Sequence, residues 1–158
     1  MGETLRAIEL YEQALAIHRE IGDRRREGNA LGNLGSAYSD LGETRRAVEF
    51  YRQALAIHRE ISNRRGEGTS LGNLGVAYTQ LGEPRRAIEF YEQQLAITRE
   101  IGDRRGEGNA LGNMAVALDE LSDRAQAIAT AEAALKIYEE IESPNAAKVR
   151  QQLAAWGR

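Results

Sequence analysis

The chain has no cysteine, two prolines, two lysines, one tryptophan and no long apolar run. Without cysteine there is no disulfide framework and no thiol nucleophile, and the redox compartment stays open. No stretch approaches the roughly 20 apolar residues of a membrane-spanning helix. Met1 is not followed by a signal-peptide pattern, so a cytoplasmic protein with no membrane partner is expected. The net charge of −3 provides no overall basic field to recruit nucleic acid. The low hydrophobicity and large net charge of a disordered chain are missing as well. Lysine is confined to Lys136 and Lys148, so Arg supplies nearly all positive charge, which favours planar, bidentate contacts to carboxylates.

What is present is repetition. Residues 27–42 read EGNALGNLGSAYSDLG, 67–82 read EGTSLGNLGVAYTQLG, and 107–122 read EGNALGNMAVALDELS. Between them lie ETRRAVEFYRQALAIHREI at 43–61 and EPRRAIEFYEQQLAITREI at 83–101, matched by ETLRAIELYEQALAIHREI at 3–21. The offset is 40 residues throughout, and about two-thirds of positions agree between 23–62 and 63–102. The chain is a repeat array, whose units bury apolar faces against their neighbours.

Each unit holds two helical patterns and no strand, which excludes propeller repeats of similar period. Asp23, Asn63 and Asp103 stand as N-cap candidates before the first pattern, and Gly42, Gly82 and Ser122 as its stops. The second pattern starts near Glu43, Glu83 or Asp123, with Pro84 suited to a first helical position. Its stripe Ala47, Val48, Tyr51, Ala54, Leu55, His58 and Ile61, joined by Phe50 and Ile57 on a second face, packs on two neighbours. The expected layout is a single array over 1–158: an orphan second-type helix at 3–21, repeats at 23–62, 63–102 and 103–142, and a capping helix at 144–156. That makes about eight helices.

Leu31, Leu34, Gly35 and Tyr38, then Ala47, Tyr51 and Ala54, resemble the tetratricopeptide spacing with Leu in place of the usual Trp. The pattern recurs as Leu71, Leu74, Gly75, Tyr78, Ala87 and Tyr91, and more weakly as Leu111, Met114, Ala115 and Ala127. Six extra residues per unit and no Pro closing the second helix make it similar to the 40-residue Pins/Leu-Gly-Asn adaptors and related bacterial arrays, as does GDRRGEGNALGNMA at 102–115. HEAT-type repeats lack the Leu-Gly-x-x-Tyr element. The resemblance implies an all-α, right-handed solenoid of helical hairpins whose first helices line a concave groove.

On a helical wheel of residues 25–41, at about 100° per residue, Leu31, Leu34, Tyr38 and Leu41 form the core arc and Gly28, Gly32 and Gly35 the next. These glycines, each costing about 1 kcal/mol in a helix interior, are expected to let a neighbouring helix approach closely. A third arc carries Arg25, Asn29, Asn33, Ser36 and Asp40, repeated as Arg65, Thr69, Asn73, Val76 and Gln80, then Arg105, Asn109, Asn113, Val116 and Glu120. If the resemblance holds, this arc faces the groove. Asn can donate to and accept from the amides of an extended peptide, and Arg forks suit its carboxylates. The alternatives are that Asn33, Asn73 and Asn113 brace adjacent units, and that Arg24 and Arg25 with Glu27 form solvated or i,i+3 pairs. The clamp positions that hold a C-terminal carboxylate in relatives carry Gly32 and Ser36, Gly72 and Val76, Gly112 and Val116, a departure that disfavours that ligand.

The expected function is therefore non-catalytic binding of an extended peptide or partner helix, acidic or amide-rich, with no cofactor. His18 and His58 share a position that holds Thr98 and Tyr138 in later units, which fits packing at the core edge better than catalysis or metal binding. No His/Cys/Asp cluster has metal spacing, and no Gly-rich loop follows a strand. Single-stranded RNA is a weaker candidate, because the groove arc has no aromatic residue to stack bases. A further alternative is a scaffold stacked head to tail: the helix at 3–21 bears Ile8, Tyr11 and Leu15 with no preceding first-type helix to cover them, and such apolar patches mark contacts.

Overall fold

The computed structural model describes residues 2–157. Among these, eight helices follow one another with no strand: α1 (Gly2–Glu20), α2 (Arg24–Asp40), α3 (Thr44–Glu60), α4 (Arg64–Gln80), α5 (Pro84–Glu100), α6 (Arg104–Glu120), α7 (Arg124–Glu140) and α8 (Asn145–Ala155). Asp23, Asn63 and Asp103 cap α2, α4 and α6, each accepting a backbone N–H three residues on at 2.9–3.2 Å. Asp123 caps α7 in the same way. Pro84 opens α5, where its missing N–H costs nothing.

Each helix packs on the one before and the one after, giving a right-handed solenoid of antiparallel hairpins. The first-type helices also meet directly, α2 with α4 and α4 with α6, which curves the stack with these helices on the inner side. Leu31, Leu34, Leu71 and Leu74 are fully buried along that inner layer. Tyr38 stacks on Phe50 and Tyr78 on Phe90, with ring centroids 5.2 and 5.3 Å apart, tying each first helix to the second helix of its own unit.

Most of the glycine arc does what its position suggests. A Cβ on Gly35 would stand 2.5 Å from the Tyr51 ring, and one on Gly28 would stand 2.8 Å from the His58 ring. His58 is wedged between two first-type helices, since a Cβ on Gly66 would come within 2.6 Å of its Nδ1. Asn63 donates to that nitrogen at 3.1 Å, and His58 is 4% exposed, a packed residue whose burial pushes its pKa down. Gly32 departs from the expectation: nothing lies within 4 Å of where its Cβ would be. The second helix holds the small Ala54 at the level where the next unit has a large Gln94 against Gly72.

The second device holding the stack is electrostatic. Glu27, Glu67 and Glu107 are 5–7% exposed, yet each lies between two guanidinium groups. Glu27 accepts from Arg19 at 2.9 Å and Arg24 at 2.5 Å; Arg59 and Arg64 hold Glu67, and Arg99 and Arg104 hold Glu107, in the same way. Arg24, Arg64 and Arg104 then reach forward to Glu60, Glu100 and Glu140. The result is a chain of alternating charge from each second helix, through the next first helix, to the second helix after it. Burial pushes the Glu27 and Glu107 carboxyls up, but the arginine hydrogen bonds outweigh it and set both below the ordinary carboxylate range.

Two outcomes follow from this packing. Gly35→Ala is expected to destabilise the array by about 1–3 kcal/mol through overpacking against Tyr51, whereas Gly32→Ala should stabilise it by up to about 1 kcal/mol through helix propensity. Urea titrations of the two variants check this opposite sign. Because the Glu27 and Glu107 pKa values are lowered by folding, their contribution is complete above the unfolded carboxylate range and is lost as pH falls through the folded values. Stability is therefore expected to decline below about pH 4.5. The Glu27→Gln/Glu107→Gln variant should be less stable at pH 7 but lose less between pH 7 and pH 3, read from denaturation midpoints across that range.

Candidate peptide-binding groove

The concave side of α4, α6 and α8 encloses a groove of about 410 Å³. Its rim carries Arg65, Thr69, Asn73 and Val76 from α4 and Arg105, Asn109, Asn113 and Val116 from α6. All eight belong to the arc singled out in the sequence. Their unit-one counterparts on α2 do not line this groove: Arg25, Asn29, Asn33 and Ser36, one repeat earlier, are exposed. Ser36 is engaged within the chain, taking the Tyr51 hydroxyl at 3.2 Å and donating to the Gly32 carbonyl at 3.2 Å.

The expected acidic end of the stripe is not part of the groove. Asp40, Gln80 and Glu120 are the last residues of their helices, where the chain turns away from the inner side. Gln80 Oε1 accepts from the hydroxyls of Ser39 (3.2 Å) and Thr44 (3.3 Å), which points it at the preceding unit's turn. The acidic residue that does line the groove is Asp103, the α6 cap, 3.7 Å from Arg65.

The arginines divide by position. Arg24 makes the i,i+3 pair with Glu27 that its sequence context offered, and Arg64 and Arg104 repeat it with Glu67 and Glu107, each carboxylate being buried. Arg65 is 74% exposed with only its long contact to Asp103, and Arg105 has no partner among the described residues. Lys148 of α8 lines the same groove, so its rim is net basic although the chain is not. Asn73 and Asn113 make no hydrogen bond among the described residues, which leaves the bracing of adjacent units without a bond to carry it. Asn109 is different, because its Oδ1 accepts from the Tyr138 hydroxyl at 2.8 Å. Burial pushes the Tyr138 pKa up and keeps that hydroxyl a donor.

Sequence reasoning followed the first helices and so missed what the second helices contribute. Gln94 and Thr98 of α5 and Tyr138 of α7 form the floor. Tyr138 is 4% exposed, so it offers no open face for stacking bases. Gln94 is 8% exposed, and its Oε1 is buried without a hydrogen-bond partner. A buried amide left unpaired costs about 1–3 kcal/mol. The available signal was a break in the repeat: Ala14, Ala54 and Ala134 occupy the equivalent places.

The proposed self-association residues are placed differently from the expectation. Ile8 and Leu15 are 6% and 7% exposed and belong to the core, and Tyr11 packs beside them. A second-type helix turns that edge toward the first-type helix that follows it, here α2, so the edge is already covered. The large apolar residues left exposed are Leu5, Leu10 and Ile17 on α1 and Ile21 in the turn that ends it, at 50–62%. Leu10 and Ile17 correspond to Phe50 and Ile57, which in the next unit face the preceding helix.

Among the described residues no group of three His, Cys, Asp or Glu side chains could share a metal ion, and no helix is long and apolar enough to cross a membrane.

A family model described as tetratricopeptide repeat matches residues 1–60 and 62–140. No curated protein matches the chain. Among solved structures it is similar to BtubC from P. vanneervenii, at 21% identity and a TM-score of 0.82 over 97% of this chain and 65% of that one. It is similar to the apo form of RapI, at 20% identity and a TM-score of 0.88 over 98% of this chain and 44% of that one. It is also similar to a Rap protein complexed with Competence and Sporulation Factor, at 18% identity and a TM-score of 0.83, again over 98% and 44%. The chain thus spans less than two-thirds of each of these proteins, and at such identities the likeness is one of fold.

Proposed function

The chain belongs to the tetratricopeptide repeat family, and from that premise we propose that it is a non-catalytic protein–protein interaction module that holds an extended polypeptide in its concave groove. The observation that carries this reading is the unpartnered polar rim. The side-chain amides of Asn73 and Asn113 make no hydrogen bond among the described residues, while Arg65, Arg105 and Lys148 leave the rim net basic. Such amides suit the alternating N–H and C=O groups of an extended backbone. The exposed Val76 and Val116 add apolar contact between them. The preferred ligand is therefore an acidic or amide-rich segment. The similar Rap protein complexed with Competence and Sporulation Factor lends support, since a related fold there holds a partner.

A second reading is favoured by a different observation, the exposed Leu10 and Ile17 of α1 and Ile21 in the turn that ends it. An edge of that size forfeits hydrophobic stabilisation while it stays wet, and a first-type helix of another copy would cover it, giving head-to-tail association. Sedimentation velocity at high protein concentration is expected to show assemblies that Leu10→Ser/Ile17→Ser abolishes. A parent chain that stays monomeric would exclude this second reading.

The groove reading is tested with an immobilised library of nine-residue peptides. The wild-type chain is expected to retain acidic members, and Arg65→Glu/Arg105→Glu to lose at least about tenfold of that affinity, the loss of two charge-assisted contacts. Raising the salt concentration should weaken wild-type retention. Undiminished retention by the charge-reversed variant would overturn the assignment.

A further inference from the structure

We infer that the amide of Gln94 is a subsite of the groove built to take a primary carboxamide, the side chain of an Asn or Gln, from the bound polypeptide. The inference rests on the peptide-groove reading above and adds what one position of that peptide must be.

Nothing in the scaffold asks for an amide at this place. Units one and three carry Ala54 and Ala134 there, and both are fully buried in equivalent packing. Gln94 is accommodated because residue 72 is glycine: a Cβ there would stand 2.6 Å from Gln94 Nε2 and 2.9 Å from its Oε1. The same glycine serves no such purpose in the other units. Gly32 faces open space, and Gly112 has the Tyr138 side chain at ordinary contact distance, 3.7 Å from its hydroxyl. The Gln94–Gly72 pair is therefore a local feature of unit two, and it sits in the floor of the groove between the two basic rims.

The amide is also chemically unfinished. Gln94 is 92% buried (8% exposed), its Oε1 has no partner, and the side chain makes no hydrogen bond among the described residues. Its enclosed Oε1 asks for a donor, while its Nε2, which is not enclosed, has a donor to offer, so a partner that both donates and accepts completes the amide. A primary carboxamide supplies both from one planar group. A carboxylate supplies acceptors only, an ammonium donors only, and an aliphatic side chain neither. The terminal torsion of Gln is broad and two-fold, so turning the amide over exchanges its ends without changing what it requires. A site with buried polar groups rejects a ligand that leaves them unpaired, and this makes the position one of selection as well as contact. Flanking Arg65 and Arg105 hold the acidic neighbours of that residue, and Asn73 and Asn113 hold the backbone.

The test uses the intact chain and nine-residue acidic peptides whose central residue is Asn, Gln, Glu, Leu or Lys. Wild type is expected to bind the Asn or Gln member about tenfold more tightly than the Glu, Leu and Lys members, as for a hydrogen-bonding site deprived of its partner. Gln94→Ala, the residue of the sister units, should unfold at the same or a higher temperature. It should bring the five members within about twofold of one another. In ¹H–¹⁵N spectra, the side-chain NH₂ pair that is absent from Gln94→Ala should shift when the Gln peptide is added. A wild type indifferent to the central residue, or an amide preference that survives in Gln94→Ala, would overturn the inference while leaving the acidic, Arg65- and Arg105-dependent binding in place. A wild type that retains no peptide at all would remove both readings.

Discussion

The ring of Tyr51 occupies the space where any residue other than glycine would place its Cβ at position 35, and the ring of Tyr91 does the same at Gly75. This close approach is the constraint on which the other features depend. In the first two units it lets the second helix lie directly against the first, so a bulky aromatic side chain reaches under the inner layer and the core leucines close over it; the third unit meets the same spacing with Ala115 against the small Ala131. Each glycine weakens its helix by about 1 kcal/mol, and the packed rings offset that loss because these helices exist only in the stack. The inner helices then touch one another, the array curves, and a groove forms on their side.

A second consequence concerns charge. Two consecutive arginines in each unit lie about 100° apart on the helix and meet opposite fates. The first, at 24, 64 or 104, turns toward the buried glutamate and on to the next second helix. The second, at 65 or 105, is left on the rim of the groove. A carboxylate as enclosed as Glu67 stays compatible with folding because two guanidinium groups finish its hydrogen bonds. Removing either partner would leave a buried charge without compensation. By drawing one arginine of each pair inward, the scaffold separates structural charge from charge available to a ligand.

Much of this was legible in the sequence. The 40-residue offset sets the number of units, the Asp and Asn caps mark where first helices begin, and the helical wheel separates a core arc, a glycine arc and a polar arc. Those signals are local, set by neighbours within one or two turns. What escaped is non-local. The Arg24–Glu60 pair joins residues 36 apart, and no period of one helix announces it. Gln80 lay on the predicted arc but belongs to the last position of its helix, where the preceding turn captures it. Ile8 and Leu15 sit in a stripe that has two covering neighbours in the later units, and a sequence pattern alone does not say which neighbour covers which edge.

The near-identity of the units also directs attention to where they differ. A backbone repeated this closely presents the same frame in each unit, so a ligand can be placed in register only by positions that break the repeat. On the groove side the breaks are few. Thr69 stands between Asn29 and Asn109, Val76 and Val116 replace Ser36, and Gln94 replaces Ala54 and Ala134. Thr69 bonds its own helix, its hydroxyl donating to the Arg65 carbonyl at 3.1 Å, so it is satisfied before any ligand arrives. The valines enlarge the apolar contact without fixing an orientation. Gln94 alone among these breaks is both enclosed and unpaired. Thr98 and Tyr138 of the same floor are enclosed too, but their hydroxyls are already bonded to the Leu95 carbonyl and to Asn109, which leaves Gln94 as the enclosed polar point with an oxygen still to be satisfied.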